Sequence, residues 1–134
     1  MIDRDAVARF QFAGQDLRCT KRQDHGLEKA LDFHAAIGSD RVEARIVGLA
    51  DRLRAGLATI PGVVVHSPTH PALRSATTIW SREGRTGVEV QDALWDRARV
   101  RVRSGGPGVR QCCHIYTLEE DVERSLRTTR EIAG

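Results

Sequence analysis

Arg110 is the side chain in this 134-residue sequence with the clearest chemical use. It follows the turn Gly105-Gly106-Pro107-Gly108 and enters a strand shared with Cys112 and His114. A planar guanidinium in that position can fork onto a carboxylate with two parallel hydrogen bonds. Its structural alternative is an ion pair with a nearby Asp or Glu, which spacing by itself favours. The amines are few. Lys21 and Lys29 are the only lysines, and their charged or polar surroundings suit solvated side chains better than a desolvated, imine-forming amine. His66 and His70 are four apart, a metal-binding spacing on a helix, but Pro68 lies between them and no third ligand is near. Cys112 and Cys113 are neighbours on a strand, so they point to opposite faces and at least one belongs to the core. His34, on an apolar helix face, reads as a packed histidine rather than a catalyst. The turn at Gly105–Gly108 is no phosphate loop, since no Gly-Lys-Ser/Thr follows it, and no nucleophile elbow occurs.

Arg99, Arg101 and Arg103 alternate with Val100 and Val102. The pattern predicts a half-buried strand with one wet face. A nucleic-acid stripe would need interleaved aromatics or a recognised motif, and neither is present. Net charge is only +3. With 40% hydrophobic and 29% charged residues the chain has the balance of a soluble globular protein of one domain, with no membrane-length apolar run. Met1 to Arg9 is charged and unlike a signal peptide, and three cysteines suit no disulfide framework, so a cytoplasmic location is expected.

The elements that must position Arg110 follow from periodicity. Residues 1–25 carry no sustained period and are expected to form an irregular connecting segment, with 26–134 as the domain proper. Leu27, Ala30, Leu31 and His34 have helical spacing up to Gly38. A second helix is predicted from Asp40 to Ala58, started by an Asp40/Glu43 capping box. Val42, Ile46, Leu49, Ala50, Leu53, Leu57 and Ile60 form its apolar side, with Arg41, Arg45, Arg52 and Arg54 on its wet side. Pro61-Gly62 turns into a Val63–Val65 strand, and Ala76–Trp80 forms the next. Thr86 and Glu89 open a helix to about Arg97. Arg99–Arg103 and Val109–Ile115 flank the glycine turn as paired strands. Thr117 to Glu120 begins a last helix with the stripe Leu118, Val122, Leu126 and Ile132. The order α-α-β-β-α-β-β-α predicts an α+β fold: a small, mostly antiparallel four-stranded sheet with helices packed on one side.

Several stretches carry a resemblance. Gly26-Leu-Glu-Lys-Ala-Leu-Asp-Phe-His-Ala-Ala-Ile-Gly38, then Arg41-Val-Glu-Ala-Arg-Ile46 and Leu53-Arg-Ala-Gly-Leu-Ala-Thr-Ile-Pro-Gly62, come first. Asp92-Ala-Leu-Trp-Asp-Arg97, Val109-Arg110, His114-Ile-Tyr116 and Glu119-Glu-Asp121 follow in order. Together they resemble the C-terminal small domain of class V aminotransferase-like proteins, in their isopenicillin-N-epimerase-like and cysteine-desulfurase-like branches. The resemblance implies the small domain of a fold-type-I enzyme that uses pyridoxal phosphate as an electron sink for transamination, epimerisation or carbon–sulfur cleavage of an amino acid. It implies that Arg110 anchors the substrate carboxylate and that His114 and Tyr116 support its strand. It also implies a large cofactor-binding domain, in the same or a separate chain, and a homodimer, with no nucleic-acid or membrane partner. That large domain would carry the cofactor lysine, so no catalytic residue and no cofactor binding are expected of this chain alone. Two departures stand out: Cys112-Cys113 replaces a usual Ser-Pro, and Phe10-Gln-Phe-Ala-Gly14-Gln15-Asp16 lacks the threonine that the family pattern has after its glycine. A stand-alone binding, regulatory or dimerisation module of the same fold is the alternative.

Overall fold

The computed structural model describes the backbone of residues 21–133 and the side chains of 26–132. Phe10–Asp16 and Cys19 therefore lie outside the described residues. Two compact units divide at residues 36 and 37. Helix α1 spans Lys21–Ile37, all but its last residue in the first unit, begins five residues before Gly26, and leaves Leu27, Leu31 and Phe33 exposed.

The second unit runs α2 (Ser39–Ala58), β1 (Val63–Val65), β2 (Thr77–Arg82), α3 (Gly87–Ala98), β3 (Arg103–Gly105), β4 (Gly108–Cys112) and α4 (Glu119–Ala133). All strand neighbours are antiparallel, in the order β1-β2-β4-β3. The element order and the four-stranded sheet are those predicted. Helix α2 packs on β1 and β2, α3 packs on β3 and β4, and α4 lies along both helices. Leu49, Leu53, Leu57, Trp80, Val90, Leu94, Val109, Val122 and Leu126 form one core between the helices and one sheet face. Fully burying a side chain of this kind contributes about 1.5–3 kcal/mol, so this layer dominates the stability of the unit.

Local chemistry fixes the ends. Thr86 and Glu89 form the predicted capping box at α3: Thr86 Oγ1 accepts from Glu89 N and Glu89 accepts from Thr86 N. The backbone bond from Thr86 holds the Glu89 carboxyl below its ordinary range. Behind this cap the helix start lies against β4. A Cβ on Gly87 would meet Gly108 O at 2.3 Å, and one on Gly108 would meet Trp80 O at 2.2 Å, so only glycine permits that approach.

The strand expected to run from Val109 to Ile115 ends at Cys112, and four further expectations need correction. The Asp40/Glu43 capping box does not form: α2 starts at Ser39 after Gly38, whose φ of 95° sets the break, and no side chain caps it. Arg54 is not on the wet side. It is 6% exposed, with one terminal nitrogen donating to Asp51 and the other to the carbonyls of Ser75 and Thr77, while its Nε has no partner. The strand expected from Arg99 begins only at Arg103, because α3 continues to Ala98 and closes with Arg99 in the left-handed region (φ 54°). Arg99 N and Val100 N then bond back to the carbonyls of Trp95 and Leu94, a Schellman-type end that uses up the backbone of the expected strand. Leu118 is exposed rather than part of the last helix's stripe: it precedes α4, its N–H is taken by Asp121, and Thr117 turns to cap His114 N instead.

Candidate carboxylate site

The hairpin β3–β4 turns through Gly106-Pro107, with Gly106 at φ 57°. Positive φ at the first central position followed by proline is the type II′ arrangement, whose twist matches antiparallel strands. This short loop fixes the register, and the register sets Arg103 directly opposite Arg110. On its other side Arg110 faces Ile79 of β2.

Alternation along β4 buries Val109 and Gln111 and exposes Arg110 and Cys112. The buried side is tied down: Gln111 Nε2 donates to Ser125 Oγ of α4 at 3.0 Å. The exposed side borders a concavity of about 500 Å³ lined by Gln91, Asp92, Trp95, Arg101, Val102, Arg103, Arg110 and Cys112. Gln91 Oε1 accepts from Ser104 N at 2.8 Å, which clamps α3 to the outer edge of β3 and sets Asp92 and Trp95 on the wall. The Arg101 guanidinium lies 4.3 Å from the centre of the Trp95 ring, and that of Arg99 lies 5.2 Å from it. Such stacking orients a guanidinium while leaving its in-plane donors free.

Among the described residues, no carboxylate comes within ion-pair distance of Arg101, Arg103 or Arg110. Other arginines are paired, as with Arg45–Glu119, Arg52–Glu123 and Arg74–Asp51. The ion pair that spacing favoured for Arg110 is thus absent among the described residues, and its fork is open to a ligand.

The remaining candidates sit elsewhere. His114 and Tyr116 lie past the end of β4 with ring centroids 4.2 Å apart, Tyr116 being 77% exposed, and neither lines the concavity. Cys113 is buried and Cys112 exposed, the split that strand geometry requires. His66 Nε2 contacts Ser81 Oγ at 2.8 Å, and His70 Nδ1 accepts from Ala72 N. The sequence offers Arg101 and Arg103 as a wet strand face, with a nucleic-acid stripe as the rival reading, and brings in Asp92 and Trp95 only through the family resemblance. The signal for Arg103 was in the two-residue loop, since counting outward from Gly106-Pro107 pairs it with Arg110.

No family model matches the chain. Two curated relatives do: isopenicillin N epimerase of Amycolatopsis lactamdurans, 34% identical over 109 residues, and that of Streptomyces clavuligerus, 30% identical over 111. The matches cover 78% and 79% of this chain but only 27% and 28% of the relatives, so the chain spans about a quarter of their length. The solved cystine C–S lyase C-DES, in complex with its product cysteine persulfide, superposes with a TM-score of 0.71 at 24% identity over 81% of this chain and 29% of its own. A lysine-to-alanine C-DES variant with glycine covalently linked to the PLP cofactor gives 0.70 at 25% over the same shares. These likenesses support a class V aminotransferase-like C-terminal region. The PLP-bound C-DES variant supports PLP as the cofactor of the parent family.

Among the described residues, no side chain fits a Schiff-base site for the PLP cofactor. Lys29, the lysine whose side chain is described, is 67% exposed and pairs with Asp32 at 3.4 Å. An imine-forming lysine needs a desolvated or cation-flanked amine, and this one has neither. Among the described residues no group of three or more His, Cys, Asp or Glu is arranged to hold a metal ion. No described helix is long and apolar enough to cross a membrane.

Proposed function

We propose that this region is the substrate-closing small domain of a PLP-dependent enzyme acting on an amino acid, and that Arg110 anchors the substrate carboxylate. The reaction class is transamination, epimerisation or carbon–sulfur cleavage. The cofactor lysine belongs to a large domain, in the same or another chain, so this region alone is inactive. The observation that carries the reading is the open guanidinium of Arg110 on the uncovered face of an interior strand, in a concavity with no carboxylate partner for it among the described residues. Val64, exposed on that sheet face, and the uncovered apolar side chains of α1 support a larger covering partner, the remainder of the enzyme or a second copy in a homodimer. A cytoplasmic setting accords with such an enzyme. His114 and Tyr116 support the strand end rather than touch substrate.

The test is carboxylate binding followed through arginine side-chain NMR signals, with butyrate as probe at constant ionic strength. Arg110→Gln should weaken binding at least tenfold, since a charge-assisted hydrogen bond contributes about 1.5–3 kcal/mol. Arg110→Lys should restore it only in part, because the ammonium keeps the charge and loses the fork. Unchanged butyrate binding in Arg110→Gln overturns the anchor. In parallel, borohydride reduction of the chain mixed with PLP should trap no stoichiometric adduct. Site-specific trapping at Lys21 or Lys29 would instead make this region a cofactor binder in its own right.

A further inference from the structure

Val109 and Gln111 flank Arg110 on β4 and hold the strand from behind in different ways. Val109 packs within the apolar cluster, a contact with no preferred direction. Gln111, 8% exposed, instead sets a buried amide against one hydroxyl of α4. Its Nε2 donates to Ser125 Oγ at 3.0 Å, and the same hydroxyl faces its Oε1 at 3.3 Å. The register partner of Gln111 on the sheet is Thr78 of β2, whose hydroxyl is buried and has no partner. The amide therefore ties β4 to the helix layer rather than to the neighbouring strand. Ser125 is itself fixed. Thr129 Oγ1 donates to the Ser125 carbonyl at 2.8 Å, Asp121 accepts from Leu118 N at the start of α4, and Arg85 Nε donates to the Ile132 carbonyl near its end.

Such a bond adds little to the stability of a core. Replacing both partners by apolar groups of the same shape is commonly neutral or stabilising. What the bond adds is direction, because a hydrogen bond weakens steeply as its angle closes. Arg110 needs that direction. Among the described residues its guanidinium has no hydrogen bond or ion pair of its own, so the backbone of β4 alone aims it. A binding group must be held to within about 0.5 Å of its productive place by the groups around it. We infer that Gln111 is a positioning residue for Arg110. The Gln111–Ser125 bond fixes the pleat of β4 against α4, and the pleat sets the line along which the adjacent side chain leaves the opposite face. The inference rests on the carboxylate-anchor reading of Arg110 and extends it into the core, where a polar bond on the covered side keeps the anchor in aim.

The experiment combines butyrate titration at fixed ionic strength, read by arginine side-chain NMR, with urea denaturation of the same variants. Gln111→Met keeps the length of the side chain and removes its amide. Its urea midpoint should equal or exceed that of the wild type, while butyrate binds at least about threefold more weakly, as expected where a two-point fork loses alignment. The order parameter of the Arg110 side chain should fall with it. In an Arg110→Gln background, Gln111→Met should weaken butyrate no further, because the effect passes through Arg110. Ser125→Ala breaks the same bond from the helix side, should give the same loss of affinity, and decides the matter if Gln111→Met does not fold. Butyrate affinity unchanged in a folded variant of either kind, while Arg110→Gln loses it, overturns the positioning role and leaves the anchor standing. A loss of affinity that follows a lowered midpoint, with the Arg110 order parameter unchanged, makes the bond structural and overturns the role as well. If Arg110→Gln binds butyrate as the wild type does, the anchor fails and the positioning role with it.

Discussion

Val109 and Gln111 point from β4 into the core, where Val109 is wholly buried and Gln111 bonds to Ser125 of α4. Arg110 and Cys112, interleaved with them, point to the uncovered side. The two faces are made from one stretch of chain and differ in how their polar groups are satisfied. On the covered side, even an arginine is consumed by the fold: Arg54 gives its donors to two carbonyls and to Asp51, and Asp51 also takes Arg74. On the uncovered side three arginines stand around a concavity with no carboxylate at ion-pair distance among the described residues. Burial without a partner is costly, and Arg54 offsets that cost at its two terminal nitrogens, although its Nε, like Trp80 Nε1 and Thr78 Oγ1, has no partner. Exposed polar groups need none for stability, because water remains their partner, and they stay available to a ligand.

The largest expected effect tests the covered face. Trp80→Ala removes a side chain that is 0% exposed, and it should lower the unfolding free energy by about 3–5 kcal/mol in urea denaturation. A loss under about 1 kcal/mol would mean the sheet is not held by this layer.

Next in size is Arg54→Ala, which leaves the carbonyl of Ser75 without its side-chain donor and that of Thr77 with only Ser67 Oγ at the entry to β2. It should cost roughly 1.5–3 kcal/mol. Butyrate binding should stay within about twofold of wild type, because sites without shared partners act independently. Loss of binding in a folded variant would join the two regions that the comparison separates.

Arg110→Gln is the converse. Its stability should change by no more than about 0.5 kcal/mol, the usual range for surface sites. Relief of the Arg103–Arg110 opposition should make any change a gain rather than a loss. Binding, not unfolding, is where this variant should fail.

This contrast was legible in the sequence to different depths. Helical stripes such as Leu49, Leu53 and Leu57 and the capping pair Thr86/Glu89 were readable because they are set by spacing within a few residues, and the sheet followed from them. Arg54 was misread because periodicity treats every arginine as wet. Its burial depends on carbonyls more than twenty residues away. The late start of β3 was hidden for a similar reason: Arg99 in the left-handed region replaces the glycine that ordinarily announces a helix end. At the site, Arg110 stood out through its turn and its neighbours. Trp95 and Asp92 join it only because Gln91 fastens α3 to the edge of β3, a contact that no local pattern encodes.

Cys112 and Cys113 give the smallest effect and the finest test, since adjacent residues report opposite faces. Cys113 has its thiol pKa pushed up, chiefly by burial and then by the neighbouring Cys112. In the unfolded chain it should titrate near the ordinary value of about 8.5. The native state therefore keeps its proton where the unfolded state has lost it, so Cys113 contributes stability below the ordinary thiol range that is lost as pH rises through and above it. Replacing Cys113 with alanine should flatten the alkaline slope of unfolding free energy, whereas Cys112→Ser, which removes only the smaller of the two causes, should leave most of it. Iodoacetamide at pH 8 should label Cys112 quickly and Cys113 only at the rate of opening, because the thiolate is the reacting form. Equal labelling of both in the folded chain would show that β4 does not divide a closed core from an open site, and the ligand assignment for Arg110 would lose its structural basis.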